Sequence, residues 1–116
     1  MSTERIFAVK QFQQAAEGEP IRSVITQSSD SAVVAWLVQP GQQISPHVHP
    51  DGQDTWTVLA GQGQYQFDMQ GNTRPIRVGD VVVARRNDVH GVLNDGAVPL
   101  EIVSVVSPAE AGYKPL

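Results

Sequence analysis

Three histidines and one aspartate in this sequence have the types and the spacing of a metal-binding site. His47 and His49 are separated by one residue and followed by Asp54, while the third histidine is His90. If residues 43–49 form a strand, His47 and His49 point to the same face, because strand side chains alternate with a period of two. Imidazole nitrogens and a carboxylate oxygen suit divalent iron, manganese, nickel, copper and zinc. An isolated His-x-His pair is, however, more often a chance pair on a solvated strand, so the surrounding residues must decide between the two interpretations.

The surrounding residues resemble the two motifs of the cupin superfamily. The first motif is Gly, five residues, His-x-His, three or four residues, Glu, six residues, Gly, and residues 41–61 match it with Asp54 in place of the Glu. The second is Gly, five residues, Pro-x-Gly, two residues, His, three residues, Asn, and residues 79–94 match it with Arg85 for the Pro and Asn87 for the Gly. Two motifs in the family's order are much more specific than either alone. The resemblance implies an all-β fold, a single cupin jelly-roll barrel.

The same resemblance implies that one divalent metal ion lies inside the barrel, without fixing which of the five metals it is. Three neutral imidazoles and one carboxylate would leave the ion with a net charge of about +1 and, if octahedral, about two open positions. A structural metal is normally closed by its protein ligands, so open positions indicate catalysis. The expected ligands are His47, His49, Asp54 and His90.

Alternation along the strand after this turn indicates which of two neighbouring side chains is the oxygen ligand. Asp54 falls on the same side as Trp56 and Val58, whereas Gln53 falls on the other side. Because the apolar pair marks the barrel interior, Asp54 is the expected ligand. Aspartate is one methylene shorter than the family's glutamate, so both a direct bond and a water-mediated one are open.

Length, composition and turn residues also predict a single all-β domain, residues 1–116. A chain of 116 residues is long enough for one domain with its own core and too short for two ordinary ones. Roughly nine short strands with turn residues between them are typical of a barrel or jelly roll. A short strand at residues 5–9 and single helical turns at residues 11–16 and 107–110 are further expectations. The absence of cysteine excludes disulfides, Cys-type zinc sites and thiol nucleophiles.

Charge and hydropathy restrict the partners. The net charge is -4, and the 8 Lys and Arg residues form no basic run, which argues against nucleic acid. No apolar run approaches the length of a membrane span, so a cytoplasmic protein without membrane contact is expected.

Residues 32–38 are apolar on both faces of a predicted strand, so the outer face must meet either a second subunit or another part of the same chain. Homodimers are also common among proteins that resemble cupins.

Two classes of function are consistent with the sequence. One is a small metal-dependent cupin enzyme of the dioxygenase, decarboxylase or isomerase type, acting on small acids, sugars or enediols. The other is a non-catalytic cupin module that binds or senses a metal or a small molecule. Similarity of fold cannot separate the two, because function belongs to the site.

The pocket around the ion is expected to have an apolar wall and a cation at its mouth. An apolar wall favours small organic substrates over bulk water. Arg85 or Arg86, just before His90, could hold an anionic substrate by a bidentate contact. The expected wall consists of Trp56, Val58, Phe67 and Val92 or Leu93.

Overall fold

The computed structural model describes residues 4–116, and nearly all of the regular structure in that range is β-strand. A 3-10 helix, Val9–Gln11, precedes the strands. None of the described residues belongs to a helix of the length and apolarity that crossing a membrane requires. The strands are β1 Ser23–Gln27, β2 Ala32–Val38, β3 Gln43–Val48, β4 Gln53–Ala60, β5 Gln62–Gln66, β6 Thr73–Arg77, β7 Val81–Ala84, β8 His90–Leu93, β9 Leu100–Ser107 and β10 Lys114–Pro115.

These strands form two five-stranded antiparallel sheets that face each other. The first sheet has the order β1-β2-β9-β4-β7, and the second has the order β10-β3-β8-β5-β6. Successive strands from β2 to β5 alternate between the sheets, so the chain winds around the enclosed core. The all-β jelly-roll barrel expected from the sequence is confirmed.

Alternation along β4 shows how the sequence places side chains inside this barrel. Asp54, Trp56 and Val58 are buried, while Gln53 is exposed and the threonines between them are partly exposed. The predicted facing of this strand is therefore correct. The apolar side chains pack in the core, and the side chain of Asp54 lies in the same interior near the N-terminal end of the strand.

The barrel core is apolar and continuous along most of its length. Trp36, on β2, packs against both of the clusters into which the buried residues divide. The larger cluster fills the interior between the sheets, and the smaller one lies beside the C-terminal segment. The larger cluster is Val38, Ile44, Trp56, Val58, Tyr65, Ile76, Val92, Leu100 and Ile102.

Asn94, the last residue of the second motif, has a structural role. It is fully buried, and its side-chain amide donates hydrogen bonds to the carbonyls of Val38 and Val98 at 2.8 and 2.9 Å. Its own carbonyl accepts a hydrogen bond from the amide of Gly41, the first residue of the first motif, at 2.8 Å. The two motifs are thus joined at the end of β8, which fixes β3 and β8 relative to each other.

Three short predicted elements are wrong. Residues 5–9 pair with no strand, and the helical turn lies at Val9–Gln11 instead of 11–16. The side chains of Gln13 and Gln14 instead bind Glu101 and Ser23, so this segment lies along the first sheet. Residues 107–110 form no helical turn because Ser107 pairs with Gln53 as the last residue of β9 and cannot act as a helix cap.

The segment before β1 covers part of the outer face of the first sheet. Lys10 and Gln13 both bind Glu101 on β9, at 2.9 and 2.6 Å, and Gln14 binds Ser23 at the start of β1. The remainder of that face is open to solvent, with Val83 38% and Val105 37% exposed. Residues 32–38 themselves are all buried or half-buried, so cover by the same chain, one of the two expected alternatives, accounts for most of this strand, and the open part of the face lies mainly on β9 and β7.

Candidate metal centre

β3 and β8 bring two of the histidines into direct contact. β3 ends at Val48, one residue short of the predicted end, and its register with β8 shifts between Ile44 and His47. After this shift His47 lies directly opposite His90, and their ring centroids are 4.1 Å apart. The ring of His49 lies 5.1 Å from each of the other two. The two segments that were separate in sequence thus form one cluster.

Asp54 comes to this cluster from the opposite sheet. It is the second residue of β4 and pairs with Ala84 on β7 and Val106 on β9. Its side chain points inward, and one potential ligand atom from each of the four residues lies within 4.8 Å of the others. The structure therefore brings together all four residues that the sequence singled out, His47, His49, Asp54 and His90, in an arrangement that could hold a metal ion.

Each imidazole is oriented by a backbone carbonyl. Nδ1 of His47 lies 2.8 Å from the carbonyl of Ser45, and Nδ1 of His90 lies 3.0 Å from that of Asp88. Nδ1 of His49 lies 2.6 Å from the carbonyl of Gly112. Carbonyl oxygens only accept hydrogen bonds, so each Nδ1 carries the proton and each neutral ring keeps its lone pair on Nε2. This is how metal-binding histidines are usually held by the protein around them.

The turn before His90 explains how the chain tolerates two departures from the family motif. Asn87 has a φ of 65°, in the left-handed region where asparagine is the least strained substitute for glycine. The carboxylate of Asp88 accepts a hydrogen bond from the amide of Arg85, which closes the turn. The amide of Asn87 also donates to the carbonyl of His49 at 3.1 Å, so this turn holds the two histidine segments together.

The pKa values of His47, His49 and Asp54 are shifted in different directions by their surroundings. Burial, followed by the neighbouring His90, lowers the pKa of His47 from 6.5 to about 4. Burial opposes the charged form of Asp54, but hydrogen bonds with His49 and His90 outweigh it and lower the pKa of this carboxyl to about 2. Burial also opposes the charge of His49, yet the Asp54 carboxylate and the Gly112 carbonyl raise its pKa above 6.5. At neutral pH Asp54 is therefore ionised and His47 is neutral, as metal ligands must be.

The buried polar atoms of the cluster have the arrangement of ligands around a cation. Oδ2 of Asp54 lies 3.2 Å from Nε2 of His90 and 3.5 Å from Nε2 of His49, and its Oδ1 has no hydrogen-bond partner among residues 4–116. Nitrogen lone pairs that face a carboxylate repel it unless a proton or a metal ion lies between them. Ligand atoms about 2.1 Å from a shared ion are at most about 4.2 Å apart. The four ligand atoms lie within 4.8 Å of one another, so they would need to move together only slightly to bind one ion. The donor set fits a divalent metal.

A cavity of about 960 Å³ opens from this cluster to the surface. Trp36 and Trp56 form part of its wall, so the expectation for Trp56 is correct. Phe67 is not in the wall, because β5 ends at Gln66 and the phenylalanine falls in the following turn, 41% exposed. The other three residues expected there, Val58, Val92 and Leu93, do not line the cavity either.

The charged residues at the cavity differ from those expected. Arg85 and Arg86 are exposed and do not line it, whereas Arg22, the residue before β1, does. Glu19 and Glu110 lie in the same rim. The sequence carries no local signal for these three residues, because only the pairing of distant strands brings them to the site.

The C-terminal segment is a second feature that local spacing does not reveal. β10 pairs with β3, placing Lys114 opposite Val48 and Pro115 opposite His47. The phenol ring of Tyr113 consequently lies 5.1 Å from the His47 ring, and this side chain lines the cavity. Together with the carbonyl of Gly112, which orients His49, these contacts give the segment a part in the site beyond packing against the barrel.

Known proteins resemble the chain in both sequence and fold. A family model described as Cupin_2, a cupin domain, matches residues 34–106. The pectin degradation protein KdgF of Dickeya dadantii (strain 3937) is 31% identical over 94 residues, covering 79% of this chain and 81% of the relative. A crystal structure of a conserved protein with a double-stranded β-helix domain from Klebsiella pneumoniae is 45% identical, with a TM-score of 0.93 and coverage of 97% and 96%. KdgF from Halomonas sp. has the same fold at 23% identity, with a TM-score of 0.72 and coverage of 90% and 94%.

Proposed function

Because the chain belongs to the cupin family, we propose that it is a small metalloenzyme acting on a small organic substrate. The observation that supports this proposal is the buried cluster in which three Nε2 atoms and one carboxylate meet, with every Nδ1 bound to the backbone. The proposed ligands of the divalent ion are His47, His49, Asp54 and His90.

The chain's own residues divide the work of such a site. The bound ion would supply a Lewis acid that polarises the substrate, in a reaction of the dioxygenase, decarboxylase or isomerase type. Trp36 and Trp56 form an apolar wall that excludes water from the ion and strengthens electrostatic contacts inside the cavity. Tyr113 extends the aromatic surface toward solvent, where a substrate enters.

A substrate panel tests this proposal. The chain is freed of metal, reconstituted separately with iron, manganese, nickel, copper and zinc, and assayed for oxygen consumption, carbon dioxide release and isomer formation. The relative named for pectin degradation makes breakdown products of that polysaccharide the first compounds to test, followed by keto acids, sugars and enediols. Turnover with one metal that disappears in His90→Ala is the expected result. No turnover by any reconstituted form would contradict an enzymatic function.

The second candidate is a non-catalytic module that binds a metal or a small molecule. One observation favours it. Apart from the proposed ligands, every acid or base that lines the cavity within residues 4–116 is exposed: Glu19, Arg22, Glu110 and Tyr113. A general acid or base usually has its proton affinity adjusted by burial, so this cavity offers few candidates for proton transfer. Tight ligand binding without turnover would support the module.

We further propose that the chain forms a homodimer through the open part of the first sheet. Val33, Val105, Thr55 and Val83 lie side by side across four strands on its outer face. This row carries no charge, so a second copy of the same face meets no repulsion there. Apolar sheet faces of this kind are seldom left in water by soluble proteins.

A further inference from the structure

We propose that the cavity beside the metal centre binds a compound carrying one carboxylate group, with Arg22 as the ionic partner of that group. The inference rests on the proposed function, because it names the class of compound that would enter the same cavity. It assigns the recognition of the ligand to a residue outside both histidine motifs.

The positive charge of Arg22 is not neutralised by another residue in the range 4–116, so it can bind an anionic ligand. Among the cavity-lining residues that the structure describes, it is the only lysine or arginine. Its guanidinium makes no ion pair and no hydrogen bond with any other residue in the range 4–116. Arg22 lines the same cavity as His49 and Asp54, so one small molecule in that cavity can contact both Arg22 and the metal centre.

The chemistry of this cation selects a carboxylate. A guanidinium presents a planar fork of N–H donors that matches the two oxygens of a carboxylate, whereas a neutral amide or alcohol cannot use the charge. An apolar wall formed by Trp36, Ile44 and Val106 lines the cavity that this cation shares. The same wall suits a ligand whose remaining atoms are largely apolar.

The other charges at the rim limit the ligand to one carboxylate. Glu19 and Glu110 line the same cavity, and both are exposed. In the metal-free protein one arginine can offset one anionic group, while a second group would face two glutamates without a cation of its own. We therefore expect a monocarboxylate to bind at least as tightly as the corresponding dicarboxylate.

Intrinsic fluorescence gives a direct measurement, because the two tryptophans of the chain both line the cavity. Cyclohexanecarboxylate is titrated into the chelator-treated chain of 116 residues, and cyclohexanecarboxamide serves as its neutral counterpart. Arg22→Gln should weaken binding of the carboxylate by about tenfold and leave binding of the amide unchanged. Arg22→Lys keeps the positive charge and loses the planar pair of donors, so its affinity for the carboxylate should lie between those of the unmodified chain and Arg22→Gln. Arg86→Gln is the matched control, an exposed arginine outside the cavity, and should bind like the unmodified chain.

Three outcomes would overturn the inference. The carboxylate fails to bind, it binds no more tightly than the amide, or Arg22→Gln and Arg86→Gln have equal effects. A zinc-loaded arm separates this inference from the proposed function. Binding that requires zinc and ignores Arg22→Gln would place the carboxylate on the ion, which overturns the role of Arg22 and leaves the metalloenzyme standing. Arg22-dependent binding by a chain that takes up no divalent metal when it is offered would do the reverse.

Discussion

The two oxygens of Asp54 have different surroundings at the level of single atoms. Oδ2 faces the Nε2 atoms of His90 and His49, while Oδ1 is buried without a hydrogen-bond partner among the described residues. Asp54→Ala should therefore weaken metal binding by about ten- to a hundredfold, because it removes the only carboxylate of the cluster. Asp54→Glu should be tolerated, since it restores the residue of the family motif. Metal titration by calorimetry measures both variants.

Gln53→Ala is the matched control for this prediction. Gln53 is the neighbour of Asp54 on β4 and is exposed, so its removal should leave the affinity for metal nearly unchanged. A larger loss in Gln53→Ala than in Asp54→Ala would show that the carboxylate is not the oxygen ligand.

His47 should make the stability of the metal-free protein depend on pH. Its pKa is about 4 in the folded chain and 6.5 for a histidine in an unfolded chain, so the unfolded state binds more protons between these values. The free energy of unfolding should therefore fall as the pH drops from 6.5 to 4, by up to about 3 kcal/mol from this residue. Urea denaturation in the presence of a chelator measures the slope. His47→Gln, which cannot titrate, should remove most of it, and an unchanged slope in that variant would contradict the prediction.

At the level of elements, two motif glycines with similar backbone angles have different neighbours. Gly61 and Gly41 have φ of +80° and +85°, but a Cβ on Gly61 would lie 2.3 Å from the carbonyl oxygen of Pro99, whereas one on Gly41 would meet nothing within 4 Å. Gly61→Ala should cost about 3 kcal/mol, from the strained angle and the clash together, and Gly41→Ala only about 1 kcal/mol. Denaturation curves of both variants check the difference. Equal losses would mean that the turn between β4 and β5 can move away from Pro99.

The strands and the four proposed ligands could be predicted from sequence because their signals are local. Alternation along β4 separates Asp54 from Gln53, and fixed spacing relates His47 to His49. The predictions of short elements were wrong where pairing between distant residues determines the structure, as at Ser107, whose pairing with Gln53 extends β9. Local propensity is a weak guide wherever such contacts compete with it.

At the scale of the whole molecule, the cavity shows the limit of sequence reading. Arg22 and Tyr113 lie outside both motifs, and each reaches the site through contacts between distant parts of the chain. Arg85 and Arg86 lie within five residues of His90 in the sequence, yet both are exposed and neither lines the cavity. Closeness in sequence to a ligand does not determine closeness to its pocket.

The proposed dimer belongs to this scale as well. Light scattering at micromolar concentration should give about twice the 12.5 kDa mass of the chain. Val105→Lys, which places a charge in the uncharged outer row of the first sheet, should shift the protein to a monomer. Val98→Lys is the control, an exposed valine outside the strands. A monomer in the unmodified protein would contradict the proposed interface.

The most direct test of the central claim is the metal affinity of the unmodified chain and of His90→Ala. His47 and His49 come from one segment and cannot hold an ion tightly by themselves, whereas His90 closes the site from β8. After treatment with a chelator, calorimetric titration with iron, manganese, nickel, copper and zinc should show one site per chain for at least one metal. In His90→Ala the affinity for that metal should fall by at least about a hundredfold. If the unmodified chain binds none of these metals more tightly than His90→Ala does, the metal centre proposed for this protein is wrong.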